Sequence, residues 1–341
     1  MKRSFLQIVL IIALFLNSNN LFAQDKAAQD AYHYAFTEIN NMLNGKAKLD
    51  FKRAVFLTEN AFHDNKLNYT EFCNKIDEIE KVIIRFMKDK GVTNHPIGKQ
   101  YAIFNYMMEP SLYNDSVKLT YDFEDLTGKK DYRSMFVTKL LRTKKGNCHS
   151  IPYLYKILAE ELGAEAYLAI APNHQYIKHK DDKGQWINLE LTNGTFPRDA
   201  WVMSSTGTSL EAIKMGTYMA PETLQQTIAR TLLDLAGGYK FRFGHSDLTH
   251  QCSERVMEYH PTCLEAYMIK YEALGESLKG MIFLRGENHP MVIQLKKNLM
   301  GLSDQMDKMG YNEKSKAEYE YWMKVAENEK KRQQALSQTK K

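Results

Sequence analysis

Apolar residues recur at helical spacing along most of the chain, and one central stretch departs from that pattern. Between residues 29 and 90, the segments FKRAVFLTENAF and FCNKIDEIEKVIIRFMKDKG place apolar side chains three and four positions apart. This spacing predicts two or three amphipathic helices, the last of which ends at Gly91. Helical spacing returns after residue 209. Two helical regions therefore flank a segment of different character.

The central segment has the composition of β-strands. AYLAIAP is apolar and ends at Pro172, while HQYIKHK and QWINLEL alternate and are separated by the turn residues DDKG. The preceding stretch, SIPYLYKILAEELG, is typical of a helix that stops at Gly163. The predicted order is helix, strand and β-hairpin, with Trp186 and Trp201 as core residues beside the hairpin. The fold class that follows is α+β.

Changes in pattern along the chain predict four regions. They are a signal peptide at 1–23, a helical region at 24–130, a mixed core at 131–205 and a second helical region at 206–341. MSSTGTS, at 203–209, predicts a linker. VMEYHPTCLEAYMIKYEALG and KMGYNEKSKAEYEYWMKVA resemble helix junctions of tetratricopeptide repeats, so the last region is predicted to be a degenerate helical repeat.

The first residues have the pattern of a secretory signal. Lys2 and Arg3 precede an uncharged apolar run, 5–16, and the small residue Ala23 follows. That run is too short for a membrane-spanning helix, and cleavage is expected near Ala23. No later segment is apolar enough to anchor the chain. The mature protein is therefore expected to be periplasmic or secreted, without a membrane anchor.

Charge and cysteine content exclude some classes of function. The formal net charge is +5, and much of the excess lies after Glu327. No basic stripe is interleaved with aromatic residues, so nucleic acid is not an expected partner. Four cysteines are too few for a disulfide scaffold. Cys252 and Cys263 would pair if two helices turned back on each other, which would leave Cys73 and Cys148 as free thiols.

A group of zinc-ligand residue types lies near residue 250. It comprises His245, His250, Cys252, His260 and Cys263. Their spacing matches no familiar zinc pattern, because structural zinc sites have closely spaced ligand pairs. We predict neither a metal nor another cofactor.

Cys148 lies in GNCHSIPYLYKILAEELG, at the start of the predicted central helix. Pro152 lacks an N–H and is tolerated in the first turn of a helix, which predicts a first turn at 148–151. Free N–H groups and the helix dipole would then favour a thiolate, the nucleophilic form of cysteine. The alternative is an inert, buried thiol that only fills space.

The hairpin supplies a base and an orienting group. His174 begins the second strand, and Glu190 ends the third, so the two are expected opposite each other to within about one residue of register. A carboxylate beside His174 would hold its tautomer, and Asn188 is the rival for that role. The backbone N–H of Cys148, with Asn147 or Asn173, is the candidate oxyanion donor.

These residues resemble the transglutaminase-like superfamily of papain-related cysteine enzymes. The matching pieces are GNC, ELG, APNH and WINLELTNG, between Phe136 and Trp201. The resemblance implies a core of one helix and a small antiparallel sheet. It also implies that Cys148 is the nucleophile, His174 the general base and acid, and Glu190 the orienting carboxylate. The family usually has Asp where this chain has Glu190.

Two functions follow from these expectations. The first is an exported cysteine peptidase, amidase or transamidase that cleaves amide bonds through a thioester. The second is an inactive transglutaminase-like scaffold whose helical repeat binds peptides or proteins. Both imply a protein or peptide as substrate or partner.

Overall fold

The computed structural model describes residues 26–311 and, beyond them, residues 324, 328, 331 and 332. Within these residues helices predominate over two small sheets, and the fold class is α+β, as the sequence predicts. The predicted signal peptide lies outside the described residues, as does most of the second repeat-like junction. Among the described helices, none combines the length and apolar character that a membrane span requires.

Helices and strands alternate only in the middle of the chain. In chain order the helices are α1 (26–43), α2 (Phe51–Phe62), α3 (Tyr69–Asp89), α4 (Gly98–Met108), α5 (Val137–Thr143), α6 (Ser150–Glu161), α7 (Asp199–Thr206), α8 (Leu210–Lys214), α9 (Leu224–Phe243), α10 (Asp247–Tyr259), α11 (Leu264–Arg285) and α12 (Pro290–Lys308). The strands are β1 (Thr120–Tyr121), β2 (Lys145–Gly146), β3 (Tyr167–Ala171), β4 (His174–Lys180) and β5 (Trp186–Leu189).

The N-terminal helices begin at residues that cap them. The side chain of Asp50 accepts a hydrogen bond from the backbone N–H of Arg53, at the start of α2. Asn68 does the same for Glu71 at the start of α3. Each cap satisfies a backbone donor that the first helical turn leaves without a partner. Three helices thus form between residues 26 and 89, in line with the predicted two or three.

Helix α6 is the central element of the fold. Every residue from Ser150 to Ala159 is buried, and a helix that is buried all round must lie inside the protein. It packs against α3, α4, α5 and the strands β3 and β4. The sequence predicts this helix and its end, because Leu162 caps it and Gly163 follows with a positive φ of 63°. Cys148 lies just before its first turn.

The three predicted strands form an antiparallel sheet in the order β3-β4-β5. Pro172 and Asn173 make the two-residue turn between β3 and β4. Proline fixes φ at the first turn position, and Asn173 adopts the positive φ of 57° that the second requires. The prediction that Trp186 and Trp201 are core residues is wrong, because they are 44% and 50% exposed.

The predicted linker is partly helical, and the chain on the two sides of residue 206 contributes to one apolar core. Helix α7 continues to Thr206 and ends at Gly207, which has a positive φ of 70°, so the first part of MSSTGTS is helical. Beyond it, α9 packs on α2, and side chains such as Ile228 and Leu232 belong to the same apolar cluster as α1, α2 and α6. Helices α9 to α12 then pack successively on one another, an arrangement compatible with a helical repeat.

All four cysteines lie in the described part of the chain, and all are free thiols. The suggested disulfide between Cys252 and Cys263 is therefore absent. Both residues are buried, and burial raises the pKa of each thiol well above its ordinary value. Cys73 and Cys148 are half-buried, which makes them the accessible pair of thiols.

Candidate functional site

A tight loop positions Cys148 in front of α6. Gly146 packs so closely that an added Cβ would lie 2.7 Å from Ser150 Oγ and 2.8 Å from Ile151, which explains the glycine at this position. Asn147 Oδ1 accepts hydrogen bonds from the backbone N–H groups of His149 and Ser150, each at 3.0 Å. The helix begins at Ser150 rather than at Cys148 as predicted, because Pro152 has no N–H to donate to the Cys148 carbonyl, and Cys148 lies in the turn before the helix.

Cys148, His174 and Glu190 form a connected set of side chains. His174 Nε2 lies 2.5 Å from Glu190 Oε2, and the His174 ring also hydrogen-bonds the Cys148 side chain. Because Nε2 is taken by Glu190, Nδ1 is the ring nitrogen left for the sulfur. The second oxygen of Glu190 accepts from the backbone N–H of Thr192 at 2.9 Å and from its hydroxyl at 2.7 Å. The carboxylate is thereby fixed in orientation.

The three groups shift one another's pKa values. Burial raises the pKa of the Cys148 thiol, but hydrogen bonds from His174 and Tyr121 and the charge of His174 outweigh this and lower it. Burial lowers the pKa of His174, yet the charge of Glu190 and the hydrogen bonds with Cys148 and Glu190 raise it to about 10. Burial raises the pKa of Glu190, but His174 and Thr192 lower it overall. These shifts favour a thiolate beside an imidazolium.

Glu190 reaches His174 diagonally across the sheet. Pairing of β4 with β5 ends at Ile177 opposite Leu189, and continuing that register would set Glu190 opposite Tyr176. The two residues are predicted to lie opposite each other to within about one residue, but Glu190 is offset from His174 by two residues. Diagonal neighbours share one face of a sheet but are farther apart than direct partners. The glutamate side chain, one methylene longer than aspartate, is long enough to span this offset.

Tyr121 is a member of the site that sequence reasoning missed. The short strand β1 runs parallel to β2 and pairs Tyr121 with Gly146, two residues before the cysteine. The Tyr121 side chain hydrogen-bonds the Cys148 sulfur, and the backbone N–H of Cys148 bonds to the tyrosine oxygen. Burial and the charge of Cys148 raise the pKa of Tyr121 well above its ordinary value. The hydroxyl therefore remains protonated and donates to the sulfur.

The three predicted auxiliary asparagines have other partners or positions. Asn147 is fully buried, its Oδ1 caps α6, and its Nδ2 lies 3.1 Å from Met135 Sδ. Asn173 is an exposed turn residue. Asn188 donates to Pro197 O at 3.0 Å and to Asp199 Oδ1 at 2.7 Å. Asn188 thus does not orient His174, and the side chain of Asn147 is already used by other partners.

A second histidine follows the cysteine directly and is held at both ring nitrogens. His149 Nδ1 lies 2.9 Å from Met135 O, and Nε2 lies 2.8 Å from Asp234 Oδ1. A carbonyl oxygen only accepts, so Nδ1 must donate, and a carboxylate oxygen likewise accepts from Nε2. Burial lowers the pKa of His149, but the charge and hydrogen bond of Asp234 raise it overall. His149 is therefore a buried imidazolium beside the sulfur.

The zinc-type residues near position 250 do not converge on one point. His260 Nε2 bonds Glu222 Oε1 at 2.9 Å, His250 lies 3.4 Å from Glu254, and Cys252 is buried in the apolar core. Within the described residues, the one group of three acidic, histidine or cysteine ligands close enough to share an ion is Asp77, Glu80 and Glu161. These residues are half-buried, and Glu161 already pairs with Lys52 Nζ at 2.8 Å.

Comparisons with protein-family profiles, with curated proteins and with solved structures found no match for this chain.

Proposed function

We propose that this protein is an exported cysteine enzyme that cleaves amide bonds by acyl transfer through Cys148, and that its core is transglutaminase-like. The observation that supports this best is the connected set formed by Cys148, His174 and Glu190, with an oriented imidazole between the thiol and a fixed carboxylate. Nucleophile, base and orienting group in hydrogen-bond contact are the requirements of covalent catalysis. The lysine- and arginine-led apolar run at the N-terminus supports export.

The proposed reaction has two balanced steps. In the first, the Cys148 thiolate attacks the amide carbonyl carbon, a C–S bond forms, and the C–N bond breaks as the His174 imidazolium protonates the departing amine. This leaves a thioester and a neutral His174. In the second, water or another amine gives its proton to His174 and attacks the thioester carbon, so that the C–S bond breaks and the thiolate returns. Glu190 keeps the same His174 tautomer through both steps.

Two further side chains stabilise the thiolate in this proposal. Tyr121 donates a hydrogen bond to the sulfur. A hydrogen bond to an anion is stronger than a hydrogen bond to a neutral group. His149 acts through its charge, because it is a buried imidazolium held by Asp234 in the turn that contains Cys148. The N-terminus of α6 adds the positive end of the helix dipole. Together these effects oppose the cost of burying the thiolate.

A second candidate function is the inactive scaffold, and one observation favours it. The backbone N–H of Cys148, which would donate to a transition-state oxyanion, already bonds the hydroxyl oxygen of Tyr121. A substrate oxygen that used this donor would have to displace that hydroxyl. Loss of one oxyanion donor costs about 100- to 1000-fold in rate, so a protein in which Tyr121 is never displaced would turn over slowly at most and would serve mainly to bind partners.

Acylation by an activated ester separates the two functions. The purified protein is mixed with p-nitrophenyl acetate, p-nitrophenol release is followed by absorbance, and the acetylated residue is located by mass spectrometry. The enzyme predicts a burst of one p-nitrophenol per protein molecule and an acetyl group on Cys148. Addition of an amine such as glycinamide then distinguishes hydrolysis from amine transfer by the product formed.

Matched cysteine variants provide the control. Cys148→Ser is expected to abolish the burst, whereas Cys73→Ser removes the other half-buried thiol and leaves it unchanged. His174→Ala is expected to slow the burst strongly at neutral pH, because the thiol loses its base. Acetylation of Cys73 and Cys148 at equal rates, or no dependence on His174, would reject the enzyme and favour the scaffold.

A further inference from the structure

A separate cavity lies between α2, α3 and α5, and its volume is about 260 Å³. Its floor is aromatic, formed by the buried side chains of Phe56, Phe72 and Phe136, and the half-buried Leu67 and Leu141 complete its apolar wall. An apolar cavity of roughly 150 Å³ is enough for benzene. This one therefore has room for an aromatic ring and a short chain.

Basic residues surround the opening of this cavity. Arg133 and Lys139 are paired with Asp131 and Asp122. Lys75 and Arg142 also line it, and both side chains are exposed. Within residues 26–311, neither is in a salt bridge.

His63 and Glu71 are the remaining ionisable residues that line the cavity. Burial lowers the pKa of His63, and the positive charges of Arg133 and Arg142 lower it further, so the imidazole is neutral at pH 7. Glu71 is the one acidic residue in the lining. With Arg133 and Lys139 neutralised by their partners, Lys75 and Arg142 still outnumber Glu71. The opening therefore carries a net positive charge above an uncharged floor.

We propose that this cavity binds a small carboxylate with an apolar body, of the size of an arylalkanoate. The body would be buried against the phenylalanine floor, which gains about 25 cal/mol per Å² of apolar surface removed from water. The carboxylate would remain at the opening between Arg142 and Lys75, where a guanidinium can bind it in bidentate fashion. A neutral ligand would lose this contact, and a cationic ligand would meet like charge.

The cavity is distinct from the cysteine site, but it adjoins residues that hold His149 in place beside Cys148. Phe136 in the floor follows Met135, whose carbonyl oxygen accepts from His149. Thr138, which lines the cavity at the start of α5, donates a hydrogen bond from its backbone N–H to the side chain of Glu59 in α2. The proposed ligand contacts neither Cys148 nor His174, so its binding does not depend on the proposed acyl transfer.

Isothermal titration calorimetry with 4-phenylbutanoate tests the proposal. The full-length protein with Cys148→Ser is titrated, so that acyl chemistry plays no part in the signal. We expect saturable binding of one ligand per protein molecule, weakened by added salt because the contact is ionic. The matched ligands 4-phenylbutan-1-ol and 4-phenylbutan-1-amine keep the apolar body and change the charge. Both are expected to bind at least about tenfold more weakly.

Charge-reversed variants at the opening of the cavity provide a second test of the proposal. Lys75→Glu with Arg142→Glu is expected to weaken 4-phenylbutanoate at least about tenfold, and the fold should persist because both side chains are exposed. Lys81→Glu, an exposed position farther along α3, is the control and should leave the affinity unchanged. Absence of saturation up to about 5 mM, equal or tighter binding of the alcohol or the amine, or indifference to the double reversal would each overturn the proposal.

Discussion

We expect the alkaline limit of the proposed acylation rate to depend on Glu190. In the proposed mechanism His174 must be protonated to release the amine, and its pKa of about 10 sets the pH at which that proton is lost. Its ordinary pKa is 6.5. The difference corresponds to about 5 kcal/mol between the two protonation states, at 1.36 kcal/mol for each pKa unit. Among the groups that raise this pKa, the charge of Glu190 contributes most.

Glu190→Gln removes the charge but keeps a hydrogen-bond acceptor for His174 Nε2. We therefore expect the pKa of His174 to fall by about 1–2 units, while the site keeps its shape. The sign follows from the cause: the carboxylate favours the imidazolium, so its loss lets the proton leave at lower pH. Rates with an amide or anilide substrate should be measured from pH 5 to 11. We expect the rate to decline near pH 10 in the native protein and at a lower pH in the variant.

A matched control variant and two possible results test the role of Glu190. Glu165→Gln removes an exposed carboxylate that precedes β3 and should leave the pH profile unchanged. The reasoning fails if the native limb lies near pH 6.5, because His174 would then have no effective partner. It also fails if Glu190→Gln lowers the rate equally at every pH, since that would indicate lost structure rather than a changed pKa.

Three other changes give independent predictions. Glu59 is buried and has a pKa of about 7 against an ordinary 4.5, so its contribution to stability declines as pH rises through that interval. Urea unfolding should show the native protein losing about 3 kcal/mol relative to Glu59→Gln between pH 4 and 8, and parallel curves would contradict this. Tyr121→Phe should slow iodoacetamide alkylation of Cys148 at neutral pH but not at pH 10, because the thiol loses a donor; unchanged rates would exclude that hydrogen bond. Asp234→Asn should raise the midpoint of the same alkylation profile, since His149 loses its counter-charge, and an unmoved midpoint would show that His149 has no effect on the thiol.

The parts of the site that could be predicted are those defined by local pattern. The strand that begins at His174 and the strand that leads to Glu190 both alternate, and a turn separates them, so their pairing and the proximity of Glu190 follow from sequence spacing. The predicted start of α6 is two residues early, because the residue four positions after Cys148 is Pro152, which has no N–H for the Cys148 carbonyl. Proline in the first turn limits where a helix begins but does not fix the residue.

The missed residues depend on contacts between distant parts of the chain. Tyr121 lies in a two-residue strand, which is too short to show any alternation, and it reaches the site through parallel pairing with Gly146. Asp234 lies 85 positions after His149, on a helix predicted to belong to another region. No local periodicity records such a pairing, since it joins the turn before α6 to α9, two distant parts of the chain that share one apolar core.

The contacts of α9 make the second helical region part of the cysteine site. Asp234 holds His149 and accepts from Tyr153 at 2.9 Å, and its backbone carbonyl accepts from Tyr132 at 2.9 Å. Gly237 allows this approach, because an added Cβ would lie 2.3 Å from the Tyr132 hydroxyl. A chain cut at residue 206 would lose both the counter-ion of His149 and the apolar side chains with which α9 completes the core. The residues that resemble an enzyme core therefore depend on the helices that follow them for their charge balance.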